Sequence, residues 1–124
     1  MAHITQEDKK EISMLIKPLL KEYGIKGTLS ISNHSTIYLN LKSGKLDLMG
    51  NCSYSSGRDY IQVNPWSFDR DFSGACLEFL TKAHNALRSA DWYDNTDVMT
   101  DYFDTAYYYY VHIGEYNKPY IFNN

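Results

Sequence analysis

A chain of 124 residues, 44% hydrophobic and 22% charged, is long enough to bury one core, too short for two, and too apolar for wholesale disorder. Its net charge of −3 divides into +2 over residues 1–62 and −5 over residues 63–124, without the basic stripe of a nucleic-acid binder. Cys52 and Cys76, with no CxxC, exclude a disulfide framework and a thiolate zinc site, and no apolar run nears the ~20 residues of a membrane span. With no secretory pattern at the N-terminus, the expectation is a cytoplasmic protein with two buried thiols.

Thr5 followed by Asp8 reads as an N-cap with an acidic first turn, and Ile12, Leu15, Ile16, Leu19 and Tyr23 recur at helical spacing. Gly24 suits the C-cap. Pro18 removes a backbone donor at a cost of about 3 kcal/mol, so a kink or a break is expected there. Strands follow. Leu29 and Ile31 alternate with Thr28, Ser30 and Ser32; after a turn at Asn33-His34, Ile37, Leu39 and Leu41 alternate with Thr36, Tyr38, Asn40 and Lys42. Residues 46–58 read as an irregular connection, and Ile61 and Val63 form a short strand stopped by Pro65.

Ser73 is placed to cap a second helix whose apolar stripe is Cys76, Phe79, Leu80, Ala83 and Leu87. A last strand, about 106–113, is built of β-formers, with Tyr107, Tyr109, Val111 and Ile113 on one face and Tyr108, Tyr110 and His112 on the other. Tyr120-Ile121-Phe122 close the chain as a short pinned tail. Residues 1–124 thus form a single α+β domain of order α-β-β-β-α-β. The expected architecture is two-layer, an antiparallel sheet of about four strands with two helices on one face.

Two surfaces remain for function. The uncovered sheet face presents Tyr38, Asn40, Tyr60, Gln62, Asn64, Tyr108, Tyr110 and His112. An aromatic sheet face of this kind stacks nucleic-acid bases or anchors a protein interface, and tyrosines are also ordinary strand residues. The second surface is the stretch 91–104, with Asp91, Asp94, Asp97, Asp101 and Asp104 interleaved with Trp92 and Tyr102 and no Lys or Arg. Such a segment is suited to imitating spaced phosphates on a basic partner, to holding a divalent cation, or simply to capping turns; its spacing does not fit an EF-hand. His3, His34, His84 and His112 are scattered, without a GxSxG, a phosphate loop or an HExxH motif, so no catalytic residue, cofactor or metal site is assigned.

The run 89–97 (Ser-Ala-Asp-Trp-Tyr-Asp-Asn-Thr-Asp), then Thr100-Asp101-Tyr102-Phe103-Asp104, Ile113-Gly114 and Lys118-Pro119-Tyr120, resembles small phage and mobile-element proteins carrying a large polyvalent protein-associated domain. Asn33-His34-Ser35-Thr36 and Lys42-Ser43-Gly44 fit the same pattern. The resemblance implies a non-enzymatic inhibitor of a bacterial defence system, anti-CRISPR or anti-restriction in kind. Its expected partner is a host defence protein or ribonucleoprotein complex, with no direct nucleic-acid or membrane binding. The expected contact residues are Asp91, Trp92, Asp94, Asp97, Asp101, Tyr102, Asp104, Tyr108 and Tyr110. A single-stranded nucleic-acid module on the tyrosine face, a metal-dependent hydrolase in the acidic segment, and a homodimer closed by the tyrosine face are the alternatives.

Overall fold

The structure, a computed structural model, describes residues 3–53, 59–90, 92, 106–115 and 118–123. Helix α1 (Gln6–Tyr23) opens with a reciprocal cap: Asp8 N–H donates to Thr5 Oγ1 at 3.1 Å, and Thr5 N–H donates to Asp8 Oδ2 at 3.0 Å. The expected break at Pro18 does not occur, and α1 runs through it as one element. Packing of Ile12, Ile16 and Leu20 into the core outweighs the one lost backbone bond. Gly24, at φ 66°, ends the helix in the left-handed conformation that glycine adopts without strain.

Strands β1 (Ile25–Ser32) and β2 (Thr36–Gly44) form an antiparallel hairpin whose turn holds Asn33 and His34 at φ 54° and 56°. The register skips Lys42, and this bulge in β2 sets Gly44, three residues past Leu41, opposite Ile25. Part of the connection expected to be irregular is a short helix, α2 (Leu48–Asn51), capped where Gly50 N–H donates to Asp47 Oδ1 at 2.9 Å. Strand β3 (Ile61–Val63) and helix α3 (Phe68–Asp71) follow. Helix α4 (Gly74–Leu87) buries Cys76, Phe79, Leu80, Ala83 and Leu87, the stripe read from the sequence. Ser73 precedes α4 without a side-chain bond into the helix. Instead its N–H donates to Asn51 Oδ1 at 2.8 Å and Asn51 Nδ2 donates back to Ser73 Oγ at 3.3 Å, which clips α2 to the start of α4.

Strand β4 (Tyr108–Ile113) lies between β2 and β3, and β5 (Ile121–Phe122) joins β2 beyond the end of β4. The order is β1-β2-β4-β3, and here the fully antiparallel expectation fails. β1–β2 and β4–β3 are antiparallel, but β4 and β5 run parallel to β2, so the five-stranded sheet is mixed. Side-chain alternation reports which face a residue takes, not the direction of the neighbouring strand. The closing Tyr120 is buried and donates its hydroxyl to Leu46 O at 2.8 Å, pinning the tail as expected.

One cluster unites Ile12, Ile16 and Leu20 of α1 with the α4 stripe and with Ile37, Leu39, Ile61, Val63, Val111 and Ile113 of the sheet. The two helices are tied by Tyr23 edge-on to Phe79 at 5.3 Å, by a Tyr23 hydroxyl bond to Glu78, and by Lys82 between Glu22 (3.5 Å) and Glu78 (3.4 Å). Cys52 and Cys76 are buried and not disulfide-linked. Among the described residues no helix is long and apolar enough to cross a membrane.

Candidate partner-binding surface

β3 pairs only with Val111–Ile113, so past Val63 the chain leaves the sheet beside the first half of β4. Asn64 turns it: the Trp66 N–H donates to Asn64 Oδ1 at 2.9 Å, and Pro65 stiffens the corner. This raises Trp66 off the sheet with 69% of its surface exposed. From the other direction, Tyr107 is buried and its hydroxyl donates to Leu87 O at 2.5 Å, fixing the start of β4 against the end of α4. The Trp92 indole Nε1–H donates to Tyr107 O at 2.7 Å, which locks that ring as well.

The result is a continuous file of rings. Trp66 lies 6.5 Å from Trp92; Trp92 stands edge-on to Tyr109 at 5.5 Å; Tyr109 meets His84 at 6.0 Å; and His84 stacks on Phe68 at 4.4 Å. The Arg88 guanidinium sits 5.9 Å from the centre of the Tyr109 ring. Between these rings lies a hollow of about 140 Å³ walled by Pro65, Trp66, Trp92 and Tyr107–Tyr110. A second hollow of about 300 Å³ shares Pro65, Trp66 and Tyr110 and extends to Gln62 and Asn64.

His84 is 2% exposed; its Nδ1 lies 2.7 Å from Leu80 O, to which it donates, while Nε2 has no partner among the described residues. Burial pulls its pKa down to about 4, with the Arg88 charge acting in the same sense and the Leu80 carbonyl opposing. On the open sheet face, Tyr38 stacks on Tyr110 at 5.9 Å and tilts over His112 at 4.8 Å. His112 also has a buried Nε2 without a partner among the described residues, and burial lowers its pKa against the pull of Glu115. His112 stands opposite Asn40 of β2 and packs diagonally on Tyr38.

No family model matches the chain, and neither does any curated protein or solved structure. The geometry therefore stands alone. It brings together Trp92, Tyr108 and Tyr110 of the residues expected from sequence, while Asp91, Asp94, Asp97, Asp101, Tyr102 and Asp104 lie outside the described residues. Among the described residues no three His, Cys, Asp or Glu side chains converge as metal ligands do. The sequence reading missed Trp66, although Asn64-Pro65-Trp66 is a recognisable signal: a large ring placed directly behind a strand-ending turn.

Proposed function

We propose that this chain is a non-enzymatic binding protein whose contact surface is the aromatic hollow of Trp66, Trp92, Tyr108 and Tyr110. The observation that carries the reading is Trp66, a tryptophan left 69% exposed yet held by its turn and backed by a hydrogen-bonded second indole. Rigid aromatic rings beside a concavity are what interface anchors require, because they bury large area with little entropy to lose. The acid-rich stretch that begins at Asp91 is continuous in sequence with Trp92 and would add steering toward a basic surface. With the sequence resemblance, this supports an inhibitor that docks on a nucleic-acid-binding protein of a bacterial defence system in the host cytoplasm.

A second reading places single-stranded nucleic acid on the open face. The stacked Tyr38 and Tyr110 favour it, as do the exposed Lys26 and Lys42 at one end of that face. One experiment separates the two. Purified chain is titrated with defence complexes from a susceptible host and, in parallel, with a labelled single-stranded oligonucleotide at low salt. The first reading expects complex binding that Trp66→Ala weakens by about thirtyfold, the size of an interface hot spot. It also expects a smaller salt dependence after Asp94, Asp97, Asp101 and Asp104 are changed to Asn. Oligonucleotide binding abolished by Tyr110→Ala establishes the second, and complex binding indifferent to both sets of changes overturns the first.

A further inference from the structure

The sheet has a second edge with different chemistry. β1 ends the strand order, and nothing among the described residues pairs with its outer side. Proteins usually protect such an edge with a proline, a bulge, a charge in mid-strand or a covering element. Here the bulge lies in β2, at Lys42, Lys26 stands at the beginning of β1, and from Gly27 to Ser32 the strand has no charge and no proline. Leu29 and Ile31 point toward the helix layer yet are only half-buried, as they would be if one more strand were missing beside them.

Above this edge, α1 and β1 enclose a groove of about 300 Å³. Lys9, Ser13 and Lys17 form its upper rim, Ile16 and Leu20 its floor, and β1 its lower wall. Lys10 and Lys21 are spaced i and i+11 around Lys17, so they extend the rim along the same side of the helix. None of these four lysines makes an ion pair among the described residues, whereas Glu22, on the α4 side of α1, is engaged by Lys82. The rim is thus strongly cationic on a chain of net charge −3.

We propose that this groove takes an extended acidic segment of another protein, added to the sheet as a strand beside β1. Its backbone pairs with the free edge; the side chains on the helix side lay their aliphatic stems beside Leu29 and Ile31 and carry carboxylates to Lys9 and Lys17, while the alternate, apolar side chains lie on the other face beside Thr28 and Ser30. Charge selects this occupant over a second copy of the chain. Pairing β1 with itself would bring two lysine rims together, a like-charge contact that disfavours association. The groove lies at the edge opposite β3, so the inference does not depend on the aromatic hollow.

The test uses the full chain and a fluorescein-labelled peptide alternating glutamate and valine over about six residues, the length of the open edge. Saturable binding is expected, together with slowed amide exchange across Gly27–Ile31. Binding should weaken roughly tenfold in Lys9→Glu/Lys17→Glu, a half-buried and an exposed lysine, in protein whose urea midpoint matches that of the native chain, and be unchanged in Trp66→Ala. Equal affinity for a lysine–valine peptide, or binding without slowed exchange at β1, overturns the proposal. So does protection of the β1 amides in peptide-free protein that sediments as a dimer, which would make the edge a seam between copies.

Discussion

His84 offers a direct measurement of how the aromatic file is maintained. Its ring is 2% exposed, stacked on Phe68, and fixed as the Nδ1–H tautomer by the 2.7 Å bond to Leu80 O. Protonation would place a charge at the buried Nε2, which has no acceptor among the described residues, so the folded state holds the imidazole neutral down to about pH 4. The unfolded chain takes up that proton near 6.5. The contribution to stability is therefore fully present above about pH 6.5, falls as pH drops, and levels out below about 4. The separation corresponds to roughly 3 kcal/mol in all, of which about 2 kcal/mol is lost by about pH 5. The assay is urea unfolding at about pH 7 and about pH 5, for the native chain and for His84→Leu. Leucine forfeits the ring stack but leaves Leu80 O its helical partner, so the variant starts lower. Its further loss between the two pH values should be smaller by about 2 kcal/mol. His112, whose shift has the same sign, is present in both proteins and cancels. Parallel losses in the two proteins would refute the burial argument for His84.

Two further outcomes test the fold that positions these surfaces. Thr5→Ala removes the acceptor for Asp8 N–H and should lower stability by about 1 kcal/mol in chemical denaturation, with Thr5→Ser restoring most of it. Gly44→Ala should cost about 1–3 kcal/mol, because an added Cβ would stand 2.7 Å from Ile25 Cγ1, 2.8 Å from the Tyr120 hydroxyl and 2.9 Å from Ile25 Cα. A Gly44→Ala protein with an unchanged urea midpoint would show that the packing of Ile25 and Tyr120 against β2 yields more readily than its geometry implies.

What was legible in the sequence was whatever depends on local periodicity. The helix stripes of α1 and α4, the inward set of β2 and β4, the turn at Asn33-His34 and the split of Tyr107 and Tyr109 from Tyr108 and Tyr110 all follow from spacings of 3.6 or 2. Strand direction was not legible. β4 is delivered to its place by α4 and the stretch after it, and its parallel register with β2 is closed by one bond at the hairpin turn, Tyr108 N–H to Ser35 O at 2.9 Å. The α2–α4 clip was equally hidden, since Asn51 and Ser73 are far apart in sequence. The ring file escaped for the same reason: Phe68, His84, Trp92 and Tyr109 come from four separate segments, and only Trp92 and the tyrosines stood in a stretch that attracted attention.

The uneven charge of the chain gains a spatial meaning from the sheet order. The lysines of α1 belong to the +2 half and flank the β1 edge; Trp66 and Trp92 belong to the −5 half and flank the other side, where β3 falls short. Three inter-strand spacings, about 14 Å, separate the edges. One macromolecular partner is wide enough to touch both. A partner with a basic groove for the aromatic side and an acidic extended segment for the β1 side would gain from having them linked, because the second contact forms at a high effective concentration. In that arrangement the two sets of changes are distinguishable by their salt response. Lys9→Glu/Lys17→Glu and neutralisation of the 94–104 aspartates should each reduce the slope of affinity against salt, and combining them should reduce it further. Trp66→Ala should lower affinity at every salt concentration and leave the slope alone.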